Sequence, residues 1–308
     1  MKTNNHIPVL LKEAIELLDI NKNGIYVDCT AGRGGHSQAI LDKLSNSGVL
    51  ICIDTDEQAI SYLKEKFNNY KNVHVVKANF SQITQVLKNL NINQIDGILA
   101  DLGVSSPMFD DQTRGFSYHN DNKLDMRMDQ SQKIDAEYVI NNYSQNDLIR
   151  IFKQYGEINN PIGVVKNIIK ARDENKIVST GQLVDIIKAS LSWKDKSKDK
   201  HPAKVYFQAL RIEVNKELDN LQELLNQIPT VLKPNGRAVI ISFHSLEDRI
   251  VKNYFNDLTT VSVPKEIPII PKPKFSLLNN KVITASESEL LNNKRAHSAK
   301  MRGIKKNV

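Results

Sequence analysis

A glycine-rich loop joins a strand-like segment to a helix-like segment near the start of the chain. The stretch IYVDCTAGRGGHSQAI carries Gly32, Gly34 and Gly35, and glycine permits positive φ and the close approach of a ligand to the backbone. Asp54 ends the next strand-like run, 22 positions after Gly32. A carboxylate that binds a ribose diol typically follows such a loop by ~20 residues. Loop and acid together predict a site for an adenosine-containing cofactor.

Two cofactors of this class are candidate ligands of the loop. The pyrophosphate of a dinucleotide requires the full GxGxxG pattern, which Gly32, Gly34 and Ser37 do not complete. S-adenosylmethionine has no phosphate, and both its sulfonium and its amino group are cations. Asp28, four residues before Gly32, offers a carboxylate that organises the loop or faces a cationic ligand. These residues favour S-adenosylmethionine.

A second candidate residue ends the fourth strand-like run, DGILAD. Ligands of open α/β sheets bind beyond the carboxyl ends of the strands, so Asp101 is predicted to lie where a substrate meets the cofactor. An Asp that caps a turn is the alternative. The following residues 103–107 (GVSSP) end in proline, so they do not form a GxSxG nucleophile elbow, and acyl transfer is excluded. No HExxH or HxxxH spacing occurs, and no metal site is expected.

Alternating strand-like and helix-like segments must position these residues. From Gly24 to about Gly103 the chain predicts a βαβαβ series whose strands are nearly continuous apolar runs, typical of a parallel sheet covered on both faces. The fold class is therefore α/β, a doubly wound sheet. The series resumes near His201 with a long helix, Pro229 just beyond its end, and a strand from Arg237 after an LKPNG turn.

The segment between these two parts predicts an inserted helical domain. It carries helix-start patterns, Ser144 with Asp147 and Ser179 with Gln182. The expected bounds are 1–118 and 204–308 for the sheet domain and 119–203 for the insertion. Within them, WKDKSKDKH (193–201) is predicted to be a solvated loop, with phosphate contact as the alternative. The proline-rich run 263–275 is predicted to be an extended surface segment.

Composition describes an ordinary globular protein with an uneven charge. Of 308 residues, 40% are hydrophobic and 25% charged, and no apolar run approaches the ~18 residues of a membrane span. The first apolar run meets Lys12 and Glu13 at once, so no secretory signal is expected and the predicted location is the cytoplasm. Cys29 and Cys52 are predicted to be two buried thiols.

The net charge of +7 is concentrated in the C-terminal tail. After Leu290 there is no Asp or Glu, and the tail carries six cations: Lys294, Arg295, Lys300, Arg302, Lys305 and Lys306. Such a patch suits phosphate contacts with nucleic acid, and a merely solvated tail is the alternative.

Several motifs in order resemble one family. They are HIPVLLKEAI, TAGRGGHS, DGILADLGVSSP, RGFSY, LDMRMD, FQALRIEVNKEL and ISFHSLEDRIVK, followed by the basic KRAHSAKMR. Together they resemble the bacterial MraW/RsmH family, the ribosomal RNA small-subunit methyltransferases H. The resemblance runs from His6 to Lys252 and continues in the tail, so it covers nearly the whole chain.

The resemblance implies an activity, a fold and a set of site residues. The activity is S-adenosylmethionine-dependent methylation of the N4 amine of one decoding-region cytidine in 16S rRNA, and the fold is a class I methyltransferase with an inserted helical domain. Matched by motif, cofactor-binding residues are Gly34, Gly35, His36, Asp54, Phe80 and Asp101. His36 and Phe80 come from the resemblance, whereas the others also follow from the loop and strand pattern.

This chain departs from the family pattern at two positions. Met108 stands where the family usually carries Gln, which removes a side-chain hydrogen bond to the cofactor, and His297 replaces an Arg of the tail. We also expect Asp101 to shape the site of methyl transfer, and the inserted domain with the basic tail to contact RNA.

Alternatives remain open at this stage. A nicotinamide-dependent oxidoreductase would share the loop and Asp54, and a non-catalytic ribosome-assembly factor would share the basic tail. The sequence leaves open whether the substrate is free 16S rRNA or the assembled small ribosomal subunit, whether the chain forms a homodimer, and which group accepts the departing proton.

Overall fold

The computed structural model describes residues 7–191, 201–261 and 272–308, which form two compact units. The first unit contains the described residues up to Gly103 and those from Leu218 onward, and the second runs from Val104 to Glu217. The second unit is longer at both ends than the predicted insertion, because Phe116 before it and Leu210 after it belong to its apolar core. Most of the predicted loop 193–201 and most of the predicted extended run 263–275 lie outside the described residues.

The elements are numbered in chain order. The strands are β1 (Ile25–Asp28), β2 (Val49–Asp54), β3 (Val73–Lys77), β4 (Ile95–Asp101), β5 (Leu232–Ser242), β6 (Phe275–Leu277) and β7 (Lys300–Lys306). The helices are α1 (Leu11–Leu18), α2 (Gly35–Leu41), α3 (Glu57–Lys66), α4 (Ile83–Asn89), α5 (Ser106–Asp110), α6 (Ala136–Asn142), α7 (Gln145–Gln154), α8 (Ile162–Glu174), α9 (Thr180–Ser190), α10 (Ala203–Asn215), α11 (Glu217–Val231), α12 (Ser245–Thr259) and α13 (Glu287–Asn292).

In the first unit the described strands form one seven-stranded sheet in the order β3-β2-β1-β4-β5-β7-β6. The pairs among β1 to β5 are parallel, and β7 is antiparallel to both β5 and β6. The order reverses between β1 and β4, which is where a doubly wound sheet opens a crevice for a ligand. The predicted fold class is confirmed.

Apolar side chains cover both faces of this sheet. Alternate residues of a strand point to opposite faces, so Val27 and Ile51 belong to one buried cluster while Tyr26 and Leu50 belong to another. Cys29 and Cys52 are buried free thiols, as predicted. None of the helices in the described part of the chain combines the length and apolar character that a membrane-spanning segment needs.

Two details of the later elements differ from the prediction. The long helix is broken at Lys216, whose φ of 52° ends α10 before α11 begins. Pro229 lies inside α11 rather than beyond it, and β5 begins at Leu232, so that LKPNG is part of the strand. The sequence predicts that the helix ends before Pro229, because proline lacks the backbone N–H that a residue inside a helix donates.

The basic tail is a strand of the sheet rather than a solvated arm. β7 pairs with β5 over six residues, and Met301 and Ile304 are buried. Asp248 accepts hydrogen bonds from Arg302 Nε at 2.7 Å and from Lys300 Nζ at 3.4 Å. Lys306 Nζ donates to two backbone carbonyls. Lys300, Arg302 and Lys306 are therefore bound within the fold.

The second unit contains α5 to α10 around an apolar core of its own. The Ser179 capping box at α9 is complete, as predicted, whereas Asp147 bonds the hydroxyl of Ser144 instead of reaching its backbone N–H. Within the LDMRMD motif, buried Asp125 accepts from Arg127 Nε at 2.8 Å and Nη2 at 2.7 Å. This motif therefore braces a loop of the second unit.

Candidate active site

The glycine loop after β1 is held by hydrogen bonds with the strands and helices around it. Gly32 and Gly34 adopt positive φ, 51° and 68°, which lets the chain turn from β1 into α2. Buried Asp28 accepts from Ser37 Oγ at 2.6 Å and from Thr30 N at 3.2 Å. Asp28 thus organises the loop, one of the two roles predicted for it. Burial raises its pKa to about 6, although both hydrogen bonds act to lower it.

The surroundings of Gly35 leave no room for a side chain. A Cβ placed on it would lie 2.3 Å from Cγ of Pro8, and one on Gly34 would lie 2.9 Å from Cδ2 of Leu63. From α3, Lys66 Nζ donates to the carbonyl of Gly34 at 2.8 Å. The turn is therefore in close contact with Pro8, Leu63 and Lys66.

Asp54 connects the end of β2 to the glycine loop. Its Oδ2 accepts from Gly32 N at 2.8 Å and its Oδ1 from Asp56 N at 2.9 Å. Each carboxylate oxygen can accept a second hydrogen bond, so both remain able to bind ribose hydroxyls. Burial raises the pKa of Asp54 to about 6, against the two backbone N–H groups that lower it.

His36 faces away from the loop and toward β4. Its Nε2 lies 3.0 Å from the carbonyl of Val9, and its Nδ1 lies 3.8 Å from Oδ2 of Asp101. Burial lowers its pKa to about 4, so the ring is neutral near pH 7. Because a carbonyl can only accept, the single ring proton is on Nε2 and the Nδ1 lone pair faces Asp101.

Asp101 lies at the carboxyl end of β4, as predicted. Its backbone N–H donates to Thr30 Oγ1 at 2.7 Å, which ties β4 to the residues after β1. Its Oδ1 is buried and has no hydrogen-bond partner among the described residues, although the side chain keeps 20% of its surface exposed. Burial raises the pKa of Asp101 well above its usual value, and the negative charges of Asp28 and Glu247 act in the same direction.

Phe80 begins a short 3-10 helix (Phe80–Gln82) that follows β3. Its ring is partly buried and packs against the apolar cluster on one face of the sheet. The preceding Asn79 accepts from Ser81 N and fixes this turn. Phe80 therefore lies at a strand end, as the resemblance implies, and its ring also packs against the apolar core.

The two departures from the family pattern lie in different environments. Met108 is buried in the apolar core of the second unit. A thioether there packs without needing a partner for a polar group. His297 is exposed in a 3-10 helix (Lys294–Ser298) before β7.

The sequence did not point to the residues that support the site at long range. They include Thr30, Ser37, Lys66 and the carbonyl of Val9, each of which contacts a candidate residue. After β5, Glu247 accepts from the backbone N–H of Phe243 at 2.8 Å, while His244 caps the same turn. Histidine is uncommon at this capping position, so the pattern was not recognised.

These observations fit S-adenosylmethionine. The candidate residues follow the strand order, with Phe80 after β3, Asp54 on β2, the glycine loop after β1 and Asp101 on β4. Neighbouring strands are about 4.8 Å apart, so the four positions form a row rather than a point. The buried, unpaired Oδ1 of Asp101 lies at one end of that row and suits a cationic or N–H-bearing ligand.

The sequence profile of the MraW methylase family matches residues 3–307. The chain belongs to this family. A "Ribosomal RNA small subunit methyltransferase H" of Ureaplasma parvum serovar 3 is 50% identical over 308 residues, with 100% of both chains covered. One of the same name from Streptococcus mutans is 46% identical, with 98% of each chain covered.

Among solved structures, a SAM-dependent methyltransferase from Aquifex aeolicus is similar over 97% of this chain and 89% of its own. The two chains are 11% identical, and the TM-score is 0.39. Membership in the MraW methylase family confirms the predicted family and, with it, the prediction of S-adenosylmethionine as methyl donor.

Proposed function

We propose that this MraW methylase transfers the methyl group of S-adenosylmethionine to the N4 amine of one cytidine in the decoding region of 16S rRNA. Full-length relatives at about half identity carry the name of a small-subunit rRNA methyltransferase. The observation that carries the proposal is the row of strand-end residues that stops at the buried, unpaired Oδ1 of Asp101.

Each part of the row has a separate task in cofactor binding. Phe80 offers a ring for the adenine, and Asp54 offers two oxygens for the ribose hydroxyls. Gly34 and Gly35 shape the loop, and His36 lies behind it beside Asp101. When bound, S-adenosylmethionine supplies a methyl carbon attached to a positively charged sulfur.

The chain's own contribution to the chemistry is positioning and hydrogen-bond acceptance. Cytosine N4 is a weak nucleophile because its lone pair is delocalised into the ring. Oδ1 of Asp101 can accept an N4 hydrogen whether its carboxyl is neutral or ionised, and an acceptor there localises the lone pair and stabilises positive charge on nitrogen. Gly103, with φ of 105°, turns the chain directly after this acceptor.

Recognition of the RNA is assigned to the rest of the chain. The cytidine must be unstacked to reach a strand end, as is usual for enzymes that modify a base. We assign RNA contacts to the second unit, since the strand ends of the first are occupied by cofactor residues. The tail contributes fewer free cations than its composition suggests, because Lys300, Arg302 and Lys306 are bound within the sheet unit.

The proposal is tested by methyl transfer. Labelled S-adenosylmethionine is incubated with small ribosomal subunits that lack the mark, with naked 16S rRNA, and with fully modified subunits as the control. Product nucleosides are identified by mass. N4-methylated cytidine that forms only on the unmarked material supports the proposal, and the ratio of subunit to rRNA labelling identifies the preferred substrate.

Two other outcomes contradict the proposal. Label on a different nucleoside would overturn the assignment to N4, and no label despite measurable cofactor binding would favour the assembly-factor alternative. An Asp101→Ala enzyme that keeps both full cofactor affinity and full turnover would remove Asp101 from the mechanism.

A further inference from the structure

The side chains of Asp101 and His36, 20% and 7% exposed, form a largely buried pair that can hold one proton. Oδ2 of Asp101 lies 3.8 Å from Nδ1 of His36, while Nε2 of His36 is bound to the carbonyl of Val9. With the ring proton on Nε2, Nδ1 is a lone pair that attracts a protonated carboxyl and repels an ionised one.

The groups around this pair favour its protonated state. Asp28 on β1 and Glu247 on α12 both act on Asp101 through their negative charges, and His36 on α2 is neutral. Oδ1 of Asp101 receives no hydrogen bond from the described residues, so nothing there compensates an ionised carboxylate. In the absence of ligand, Asp101 therefore keeps its proton to a higher pH than an ordinary carboxyl.

We propose that the Asp101–His36 pair loses its proton to solvent when a sulfonium binds at the end of β4, and thereby selects the charged methyl donor over its neutral product. The inference rests on the proposed function, in which methyl transfer to the cytosine takes place beside Asp101. The O–H bond of Asp101 breaks, its electrons stay on the carboxylate, and the proton passes to the buffer. The new carboxylate then faces the cation.

The same coupling weakens binding of the product. S-adenosylhomocysteine has the same nucleoside, α-amino group and α-carboxylate but an uncharged sulfur, so it leaves the carboxyl of Asp101 protonated. Linkage requires that donor affinity rise with pH where proton release accompanies binding, by up to about tenfold per pH unit for one proton. The product's affinity should change less over the same range, so selectivity for the donor grows toward alkaline pH.

Titration calorimetry on the full chain at several pH values from 6.5 to 8.5, in two buffers that differ in ionisation enthalpy, counts the protons released. From pH 7 upward Asp28 and Asp54, with pKa values of about 6, are largely ionised and contribute little. We expect S-adenosylmethionine to release more protons than S-adenosylhomocysteine does. Asp101→Asn should abolish the difference between the two ligands, whereas Asp54→Asn should weaken both and preserve it.

Equal proton release with the two ligands, or full release by Asp101→Asn, would overturn the inference. If Asp101→Asn does not fold, the dissociation constants of both ligands for the unaltered chain between pH 5.5 and 8.5 decide the matter, since parallel pH profiles contradict it. Failure of S-adenosylmethionine to bind at any pH would instead contradict the proposed function.

Discussion

Asp28 should make the protein less stable at neutral pH than at acidic pH. Its carboxyl is 1% exposed, and burial raises its pKa to about 6 from an ordinary 3.8. Ionisation in the folded state is therefore disfavoured by about 3 kcal/mol relative to the unfolded chain. Because the folded pKa is the higher one, this stability is fully present below pH 3.8 and is lost as the pH rises through 6.

Asp28→Asn should remove this pH dependence. An Asn at this position can still accept from the N–H of Thr30, and its amide can donate to the hydroxyl of Ser37, so the loop keeps its bonds. Between pH 4.5 and 7.5, the stability of the variant relative to the natural chain should rise by about 2 kcal/mol. Urea unfolding followed by circular dichroism at several pH values measures the difference.

The control for this comparison is Asp257→Asn, an exposed carboxyl on α12. Its effect on stability should be small, because this side chain is exposed. A constant difference between Asp28→Asn and the natural chain would refute the reasoning, since it would mean that Asp28 is not the group that titrates. The variant should also bind S-adenosylmethionine less tightly, because it removes a negative charge from beneath the cofactor loop.

Three further outcomes follow from packing and charge. Gly35→Ala places a Cβ 2.3 Å from the ring of Pro8 and should cost about 1–3 kcal/mol of stability. The control Gly163→Ala, in open helical surroundings, should add about 0.5–1 kcal/mol. Equal effects of the two changes in urea unfolding would contradict this reasoning. Truncation after Leu290 removes β7 and should unfold the sheet unit, so a truncated chain with native circular dichroism and melting would be inconsistent with the pairing to β5. Arg302→Met should cost about 1–3 kcal/mol at pH 7. Burial acts to raise the pKa of Asp248, but its basic partners hold that pKa below its ordinary value. The cost of Arg302→Met should therefore disappear as the pH falls through the pKa of Asp248. A cost that persists in acid would indicate that Arg302 stabilises the fold by packing instead.

The truncation result bears on how RNA contacts are to be tested. Removing the tail to measure its share of RNA affinity would also remove a strand between β5 and β6. Single substitutions at cations that have no side-chain partner among the described residues suit the purpose better. Lys305→Ala is one such change, and a flatter dependence of RNA affinity on salt would support a phosphate contact there.

Local sequence patterns were sufficient to predict the strands of the first half of the sheet unit. Continuous apolar runs such as VLICID predict buried parallel strands, and four of the predicted strands end where the candidate residues or their loop begin. Asp54 follows the glycine loop by 22 positions, and the structure joins the two through the bond to Gly32 N. Such features depend on short-range spacing and on the rule that ligands meet parallel strands at their carboxyl ends.

The tertiary structure decided which groups meet across long sequence separations. His36 and Asp101 are 65 positions apart, and no periodicity places the ring beside the carboxyl. The same holds for Arg302 and Asp248, whose pairing turns a basic tail into part of the sheet. The composition gives the number of charges, but strand register and helix packing decide which groups meet. Register and packing also set the burial of Asp101 and therefore its pKa. The sequence by itself determined the parts of the site, and only the fold determined their protonation and their neighbours.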